Sequence, residues 1–137
     1  MAGETDLKTL LAHMSPLLAD GEVVYCTFPD ARYGDHADLE PIAAIHEAEG
    51  LTLVVPRASA DARGIAYEST FRRITLQVHS SLDAVGLTAA FARRLAEHGL
   101  SANVLAGFFH DHLLVQSDVA DRAVEALGDL ARSAGTD

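Results

Sequence analysis

Apolar and polar residues alternate most regularly in the second half of the chain. Within the segment 73–79 every second residue is apolar, which is typical of a strand with one buried face. From about residue 83 to residue 98 the apolar residues instead recur at four-residue steps, which predicts an amphipathic helix that ends at Gly99. The apolar positions are Ile74, Leu76 and Val78 in the strand and Leu87, Phe91 and Leu95 in the helix.

Two short apolar runs and a second helical pattern follow. The runs 102–109 and 112–116 predict two strands joined by a hairpin. Ser117 or Asp118 can cap a last helix. The predicted core stripe of that helix consists of Val119, Ala123, Leu127 and Leu130. The order is thus β-α-β-β-α, with a further edge strand expected from the first half, and it predicts a two-layer α+β sandwich.

The hairpin between the two runs is expected to turn at His110 and Asp111, which would pair Phe109 with His112. Its apolar residues then fall on both faces of the sheet. We expect helices to cover the face that carries Val104, Ala106, Phe108, Leu113 and Val115. The opposite face carries Leu105, Phe109 and Leu114. Because that face is too apolar to lie in water, it should pack on the first half or on another chain.

The first half of the chain has shorter and less regular patterns. Asp6 is placed to cap a short helix that Pro16 ends. The segments 22–28 and 51–55 are rich in β-branched and aromatic residues and predict two strands. Two brief helices complete the prediction, one over residues 41–50 and one between Ser59 and Gly64.

Composition and charge narrow the classes of function. The 137 residues carry a formal net charge of −10, which repels phosphate backbones and anionic lipids, so neither nucleic acid nor a membrane is expected as a partner. Cys26 is the single cysteine, which excludes an intramolecular disulfide and a thiolate metal cluster. The chain has no signal-peptide pattern and no apolar run long enough to cross a bilayer. We expect a cytoplasmic protein without a cofactor.

The sequence His-Asp-His at residues 110–112 could hold a metal ion. Zinc needs three or four converging ligands, and this sequence supplies at most two, with His79 or His36 as a further donor. The ligand count therefore favours the alternative, a polar hairpin tip. Cys26 lies in an apolar strand and is more simply a buried thiol than a nucleophile. The basic residues of "ARR" at 92–94 are interpreted as a small solvated patch.

The second half resembles the ACT domain. That family has a strand, an acidic residue and a glycine that open a helix, a "GI-N" type segment, two strands, and a second helix with "AERAL"-like residues. The matching residues here are Asp83, Gly86, Gly99-Leu100, Asn103-Val104, Asp121-Arg122-Ala123-Val124 and Leu127. Proline often precedes the helix-opening glycine in this family, whereas this sequence has Val85.

The first half is similar to the reduced N-terminal ACT-like half of small standalone tandem-ACT proteins. The chain as a whole is most similar to these proteins and to the ACT pairs of aspartokinases. The resemblance implies an α+β fold, a ferredoxin-like βαββαβ two-layer sandwich built from two ACT-like halves. We place a reduced ACT-like half at residues 1–69, an ACT domain at residues 70–133 and a frayed tail at residues 134–137.

The resemblance implies a regulatory site for a small molecule, most often an amino acid, where the first strand of the ACT unit meets its first helix against a neighbouring unit. A helix start offers unpaired N–H groups and partial positive charge to a carboxylate, and a glycine lets a ligand approach the backbone. The expected ligand-binding residues are Ser81, Asp83, Val85, Gly86, Leu87 and Asn103. Each also has a purely structural interpretation as a helix cap, a packing position or a turn residue.

The combined prediction is a regulatory protein, not an enzyme, that binds an amino acid or similar small metabolite. It would form a homodimer through its ACT units and act on a regulated protein partner. The alternative is a ligand-free scaffold for dimerisation or protein interaction. A metal-dependent enzyme built on His110 and His112 ranks third.

Overall fold

The computed structural model describes residues 6–77 and 86–135. These residues fall into two compact units, each with its own hydrophobic core. One unit, called here the composite unit, combines residues 6–19 with residues 73–135. The other, called the middle unit, is the continuous stretch 20–72.

The composite unit begins with a short helix and a short strand. Helix α1 spans Leu7–His13, and strand β1 spans Pro16–Leu18. The carboxylate of Asp6 accepts a hydrogen bond from the Thr9 backbone N–H at 3.0 Å, which confirms the predicted cap. Hydrogen bonds from the Thr9 hydroxyl and backbone N–H hold the pKa of the Asp6 carboxyl below its ordinary value.

The remaining elements of the composite unit follow the predicted order β-α-β-β-α. They are β5 (Phe71–Leu76, of which residues 73–76 belong to this unit), α3 (Leu87–Glu97), β6 (Asn103–Ala106), β7 (Asp111–Gln116) and α4 (Ala120–Gly135). Strand β1 pairs antiparallel with β5, with Pro16 opposite Leu76 and Leu18 opposite Ile74. The early part of the chain therefore supplies the additional edge strand that the pattern predicted.

One core joins the helices of the composite unit to one face of its sheet. The predicted apolar stripe of α3 is buried throughout, which confirms the four-residue period. The buried core residues are Leu10, Met14, Ile74, Leu76, Leu87, Phe91, Leu95, Leu100, Leu113, Val115, Ala120, Ala123, Ala126 and Leu127. Helix α1 belongs to this core through Leu10, which has no exposed surface.

The β6–β7 hairpin turns earlier than the sequence indicated. Leu105 pairs with His112 and Ala106 with Asp111, so the loop is residues 107–110 and the predicted pairing of Phe109 with His112 is wrong. The Gly107 N–H donates a 2.9 Å hydrogen bond to the His110 carbonyl oxygen. A Cβ at position 107 would lie 2.8 Å from that oxygen, so the turn begins where a glycine permits it.

The difference in register amounts to an even number of residues, so the residues of β6 keep their predicted faces. The burial of the hairpin residues nevertheless differs in part from the prediction. Leu113 and Val115 are buried as predicted, whereas Val104 is 38% exposed and Phe108 is 65% exposed. On the opposite face Leu114 is fully buried, whereas Phe109, which the observed register places in the loop, is 63% exposed. The loop thus presents both phenylalanine rings to solvent.

The middle unit is a three-stranded antiparallel arrangement with one short α-helix and a single 3₁₀ turn at Ala37–Leu39. Its elements are β2 (Val23–Phe28), β3 (Ala43–Glu47), β4 (Gly50–Pro56) and α2 (Arg57–Ala62). Strand β4 lies between β2 and β3 and pairs antiparallel with both. The core residues are Val24, Cys26, Ala31, Leu39, Leu51, Leu53, Val55 and Ala60. Strands β2 and β4 were predicted from their apolar runs, and both are confirmed.

The predicted helix at residues 41–50 is wrong, because residues 43–47 form strand β3. Alanine and glutamate favour helices, but pairing with the buried strand β4 overrides that preference. The edge position explains the missing signal, since four of the five residues of β3 are exposed. The helix predicted near Ser59 exists, but it begins at Arg57, so Ser59 lies inside it and does not cap it.

Candidate functional site

The opening of α3 is the place where the sequence predicted a ligand. Gly86 precedes the helix with a φ of 92°, a left-handed conformation that glycine adopts without strain. The helix itself begins at Leu87, and the first helical hydrogen bond runs from the Ala90 N–H to the Gly86 carbonyl oxygen at 2.9 Å. The side chain of Leu87 is 3% exposed and belongs to the core, so a ligand here could contact only its backbone.

The absent side chain of Gly86 leaves space that α1 occupies. A Cβ built on Gly86 would lie 3.1 Å from Cδ2 of Leu7. The glycine therefore permits helix α1 to pack closely against the start of α3. The sequence had left two interpretations of Gly86 open, helix packing and the approach of a ligand, and this contact agrees with helix packing.

The other predicted ligand-binding residues are only partly described. Ser81, Asp83 and Val85 lie outside the described residues, as does His79. Asn103 begins β6, is exposed and pairs with Leu114 across the hairpin. The assembly of all six residues into one site therefore stays a prediction.

A groove of about 480 Å³ lies on the helical side of the composite unit. It starts at Gly86 and follows α3 between α1 and α4. Its apolar lining consists of Leu7, Ala89, Ala90 and Leu130. The sequence pattern does not reveal this groove, because its walls come from elements far apart in the chain.

Charged residues line the same groove along α3. They are Arg93, Arg94 and Glu97. Nε of Arg94 lies 3.7 Å from Oε1 of Glu97, a loose ion pair one helical turn apart. The two arginines belong to the "ARR" patch that was interpreted as solvated. The helical period alone would place residues 89, 90, 93 and 97 on one side of α3.

A second, smaller concavity of about 360 Å³ lies on the strands of the middle unit. It is lined by Tyr25, Cys26, Thr27, Ile45, Glu47 and Thr52. Cys26 is only 4% exposed, and burial raises the pKa of its thiol. A thiol that resists ionisation is a poor nucleophile, which agrees with the interpretation of Cys26 as a core residue.

His112 of the hairpin is held by a neighbouring strand. Nδ1 of His112 lies 2.9 Å from the Thr75 hydroxyl on β5. Burial and the positive charges of Arg73 and His110 lower the pKa of His112, whereas Asp111 opposes the shift. Burial raises the pKa of Asp111, against the influence of the two histidines.

Metal binding gains no support from the described part of the chain. Within residues 6–77 and 86–135, no group of three or more His, Cys, Asp or Glu side chains is placed to share an ion. His36, one of the further donors considered, stacks on Phe28 with ring centroids 3.9 Å apart.

The stability of the hairpin is expected to depend on pH through His112. Because folding lowers the His112 pKa below 6.5, the unfolded chain takes up the proton first as the pH falls. The stabilisation from neutral His112 is complete above pH 6.5 and is lost as the pH falls through the folded-state pKa. We expect His112→Asn to flatten the decline in the free energy of unfolding between about pH 7.5 and pH 5.5.

Urea denaturation at a series of pH values measures this dependence. His98→Asn, which removes an exposed imidazole, is the matched control. An unchanged slope in His112→Asn would contradict the assignment. The raised pKa of Asp111 acts in the opposite sense, since its contribution is complete below pH 3.8 and is lost as the pH rises through the folded-state value.

Two family models match the chain in tandem, and both describe the ACT domain. One matches residues 2–72 and the other matches residues 68–129. The chain belongs to the ACT-domain family. ACT domains are generally regulatory modules that bind ligands. The matches follow the linear order of the chain, whereas the composite unit of this ACT protein draws on both ends of the described chain.

Solved structures share the fold of this ACT protein. A protein of unknown function from Vibrio cholerae, named a possible transport protein, is 51% identical over 91% of this chain and 95% of its own, with a TM-score of 0.83. A protein from Agrobacterium tumefaciens is 16% identical over 86% of this chain and 89% of its own, with a TM-score of 0.69.

A third similar structure is that of a regulatory subunit. The ligand-free regulatory subunit of aspartate kinase from Thermus thermophilus is 10% identical over 84% of this chain and 95% of its own, with a TM-score of 0.62. At this low identity the likeness shows the fold alone, and it confirms the α+β, ferredoxin-like prediction. A search among curated proteins finds no match. No helix of the described residues is long and apolar enough to cross a membrane.

Proposed function

We propose that this ACT protein is a non-catalytic regulatory protein that binds an amino acid or a similar small metabolite. The observation that carries the proposal is the tandem pair of ACT-domain matches, which together span residues 2–129. The chain also shares the fold of the regulatory subunit of aspartate kinase from Thermus thermophilus. The buried thiol of Cys26 agrees with a role other than catalysis.

The ligand would bind at the opening of α3. Its carboxylate would accept hydrogen bonds from the first backbone N–H groups of the helix, where the partial positive charge is concentrated. Asp83 would pair with the ammonium group, and the Asn103 amide would orient the ligand from β6. The left-handed conformation of Gly86 sets the direction in which the helix starts, and it thereby aims those N–H groups.

The regulatory signal would pass through a homodimer of ACT units to a partner protein. Support comes from the β6–β7 hairpin, which exposes Val104, Phe108 and Phe109. Exposed apolar side chains that cluster on one element mark an interaction surface. We place the protein in the cytoplasm, since its single cysteine provides no disulfide within the chain.

A thermal-shift measurement against a panel of the common amino acids tests the proposal. We expect at least one amino acid to raise the melting temperature, since a ligand at 100 times its Kd adds about 2.7 kcal/mol to the free energy of unfolding. Asp83→Ala and Asn103→Ala should each abolish the shift. Asp30→Ala and Gln116→Ala, which remove an exposed carboxylate and an exposed amide elsewhere, should leave it unchanged.

The choice of variant follows from the packing of α1. A side chain at Gly86 would meet Leu7 and would strain a backbone with a φ of 92°, so a bulky residue there would disturb folding as well as binding. Asp83→Ala and Asn103→Ala avoid that ambiguity. If no amino acid changes the melting temperature while the protein is a stable dimer by sedimentation, the ligand-free scaffold replaces the proposal.

A further inference from the structure

We propose that the groove between α1, α3 and α4 of the composite unit is a second binding site, for a small monocarboxylate with an apolar body. The groove adjoins the amino-acid site proposed at the opening of α3, because Gly86 borders both. It runs along the helix from Gly86 toward Glu97, and Asn103 does not line it. The inference does not rest on the proposed function.

The size and lining of the groove suit a small apolar group. Its volume of about 480 Å³ lies within the range of about 300–1,000 Å³ that small-molecule sites occupy. Leu7 on α1 and Leu130 on α4 are half-buried and line the groove. The short side chains of Ala89 and Ala90 leave space above α3, so that a chain of a few methylene groups or one aromatic ring can lie against the helix.

The charged side chains at the Glu97 end of the groove favour an anionic ligand. Arg93 and Arg94 contribute two positive charges, and Glu97 contributes one negative charge, which leaves a local charge of +1 in a protein with a net charge of −10. The loose 3.7 Å contact between Arg94 and Glu97 neutralises one guanidinium in part. Arg93 is exposed and makes no ion pair with any residue that the structure describes.

A guanidinium group matches the geometry of a carboxylate, with two parallel N–H donors for two oxygens. One carboxylate on Arg93 would bring the charge of the groove to zero. A free α-ammonium group would instead place a further positive charge beside two arginines, which disfavours an amino acid here. The apolar walls then select against small hydrophilic anions. These features together point to a carboxylate with an apolar body and no amine.

A titration followed by ¹H–¹⁵N spectra of the full chain tests the site. The probe is phenylacetate, and the matched neutral compound is phenylacetamide. We expect phenylacetate to shift the amide signals of residues 89, 90 and 93, with binding at least about 10-fold tighter than that of the amide, because a charge-assisted pair replaces a neutral contact.

Two substitutions distinguish the charge from the shape of the groove. Arg93→Gln should weaken phenylacetate binding by about 10-fold and should leave phenylacetamide unaffected. Ala89→Leu should weaken both compounds, since it fills the apolar part with a residue that suits a helix. Arg32→Gln, which removes an exposed arginine of the middle unit, is the control and should bind phenylacetate as the unchanged chain does.

Several results would overturn the proposal. They are equal affinity for the acid and the amide, signal changes that lie outside α1, α3 and α4, and binding that Arg93→Gln leaves intact. None of these results depends on whether an amino acid binds near Asp83. Arg93→Gln tests the groove and Asp83→Ala tests the amino-acid site, so the failure of one proposal is distinguishable from the failure of the other.

Discussion

Phe91→Ala is expected to lower the free energy of unfolding by about 3–5 kcal/mol, the usual cost of truncating a buried aromatic residue. Phe91 has no exposed surface and lies on the buried stripe of α3 between Leu87 and Leu95. Alanine is the residue most favourable to helices, so the loss would come from packing and not from helix propensity. Urea denaturation followed by circular dichroism measures it.

The matched control for this substitution is Phe108→Ala. It removes the same atoms from a ring that is 65% exposed in the hairpin loop. We expect a change within about 0.5 kcal/mol, as is usual for surface positions. A loss of several kcal/mol at Phe108, or a small loss at Phe91, would contradict the burial assigned to these two rings.

Gly50→Ala is expected to lower the free energy of unfolding by about 2–4 kcal/mol, since backbone strain and overpacking each cost about 1–3 kcal/mol. The φ of Gly50 is 146°, where side chains are disfavoured. A Cβ there would lie 2.7 Å from both the Phe28 carbonyl oxygen and the Pro29 Cα, and backbone atoms do not move aside easily.

Gly21→Ala separates the two contributions. Gly21 also has a positive φ, 79°, but a Cβ there would have no atom within 4 Å. We expect a loss of about 1–2 kcal/mol, from backbone conformation alone. Equal losses at Gly21 and Gly50, measured by denaturant unfolding, would show that the close approach of the Phe28–Pro29 backbone has no energetic weight.

The regular part of the fold could be predicted because its buried residues recur in the sequence with the period of a strand or a helix. Ile74 and Leu76 reveal their strand by alternation, and the stripe through Phe91 reveals α3. Strand β3 left no such mark, since it is an edge strand whose existence depends on pairing with β4. The hairpin register depended on Gly107, whose role emerges only from the position of the His110 carbonyl oxygen.

The candidate sites were harder to predict, because their walls are distant in sequence. Gly86 stands out as a helix-opening glycine, but nothing near it indicates that Leu7 fills the space beside it. The period of α3 places Arg93 beside Ala89 and Ala90, yet the groove also depends on Leu7 of α1 and Leu130 of α4, which complete its lining. The hydrophobic period identifies the buried face of a single helix or strand, whereas this groove is formed by three helices.

The composite unit is built from two segments that are distant in the sequence, and this affects the order in which parts of the chain fold during synthesis. Residues 20–72 form a continuous unit with its own core, so they can fold as soon as they leave the ribosome. Helix α1 and strand β1 are made earlier, but their partners lie in residues 73–135. We expect helix α1 to stay sensitive to proteolysis until α4 is complete, although α1 is translated before the middle unit.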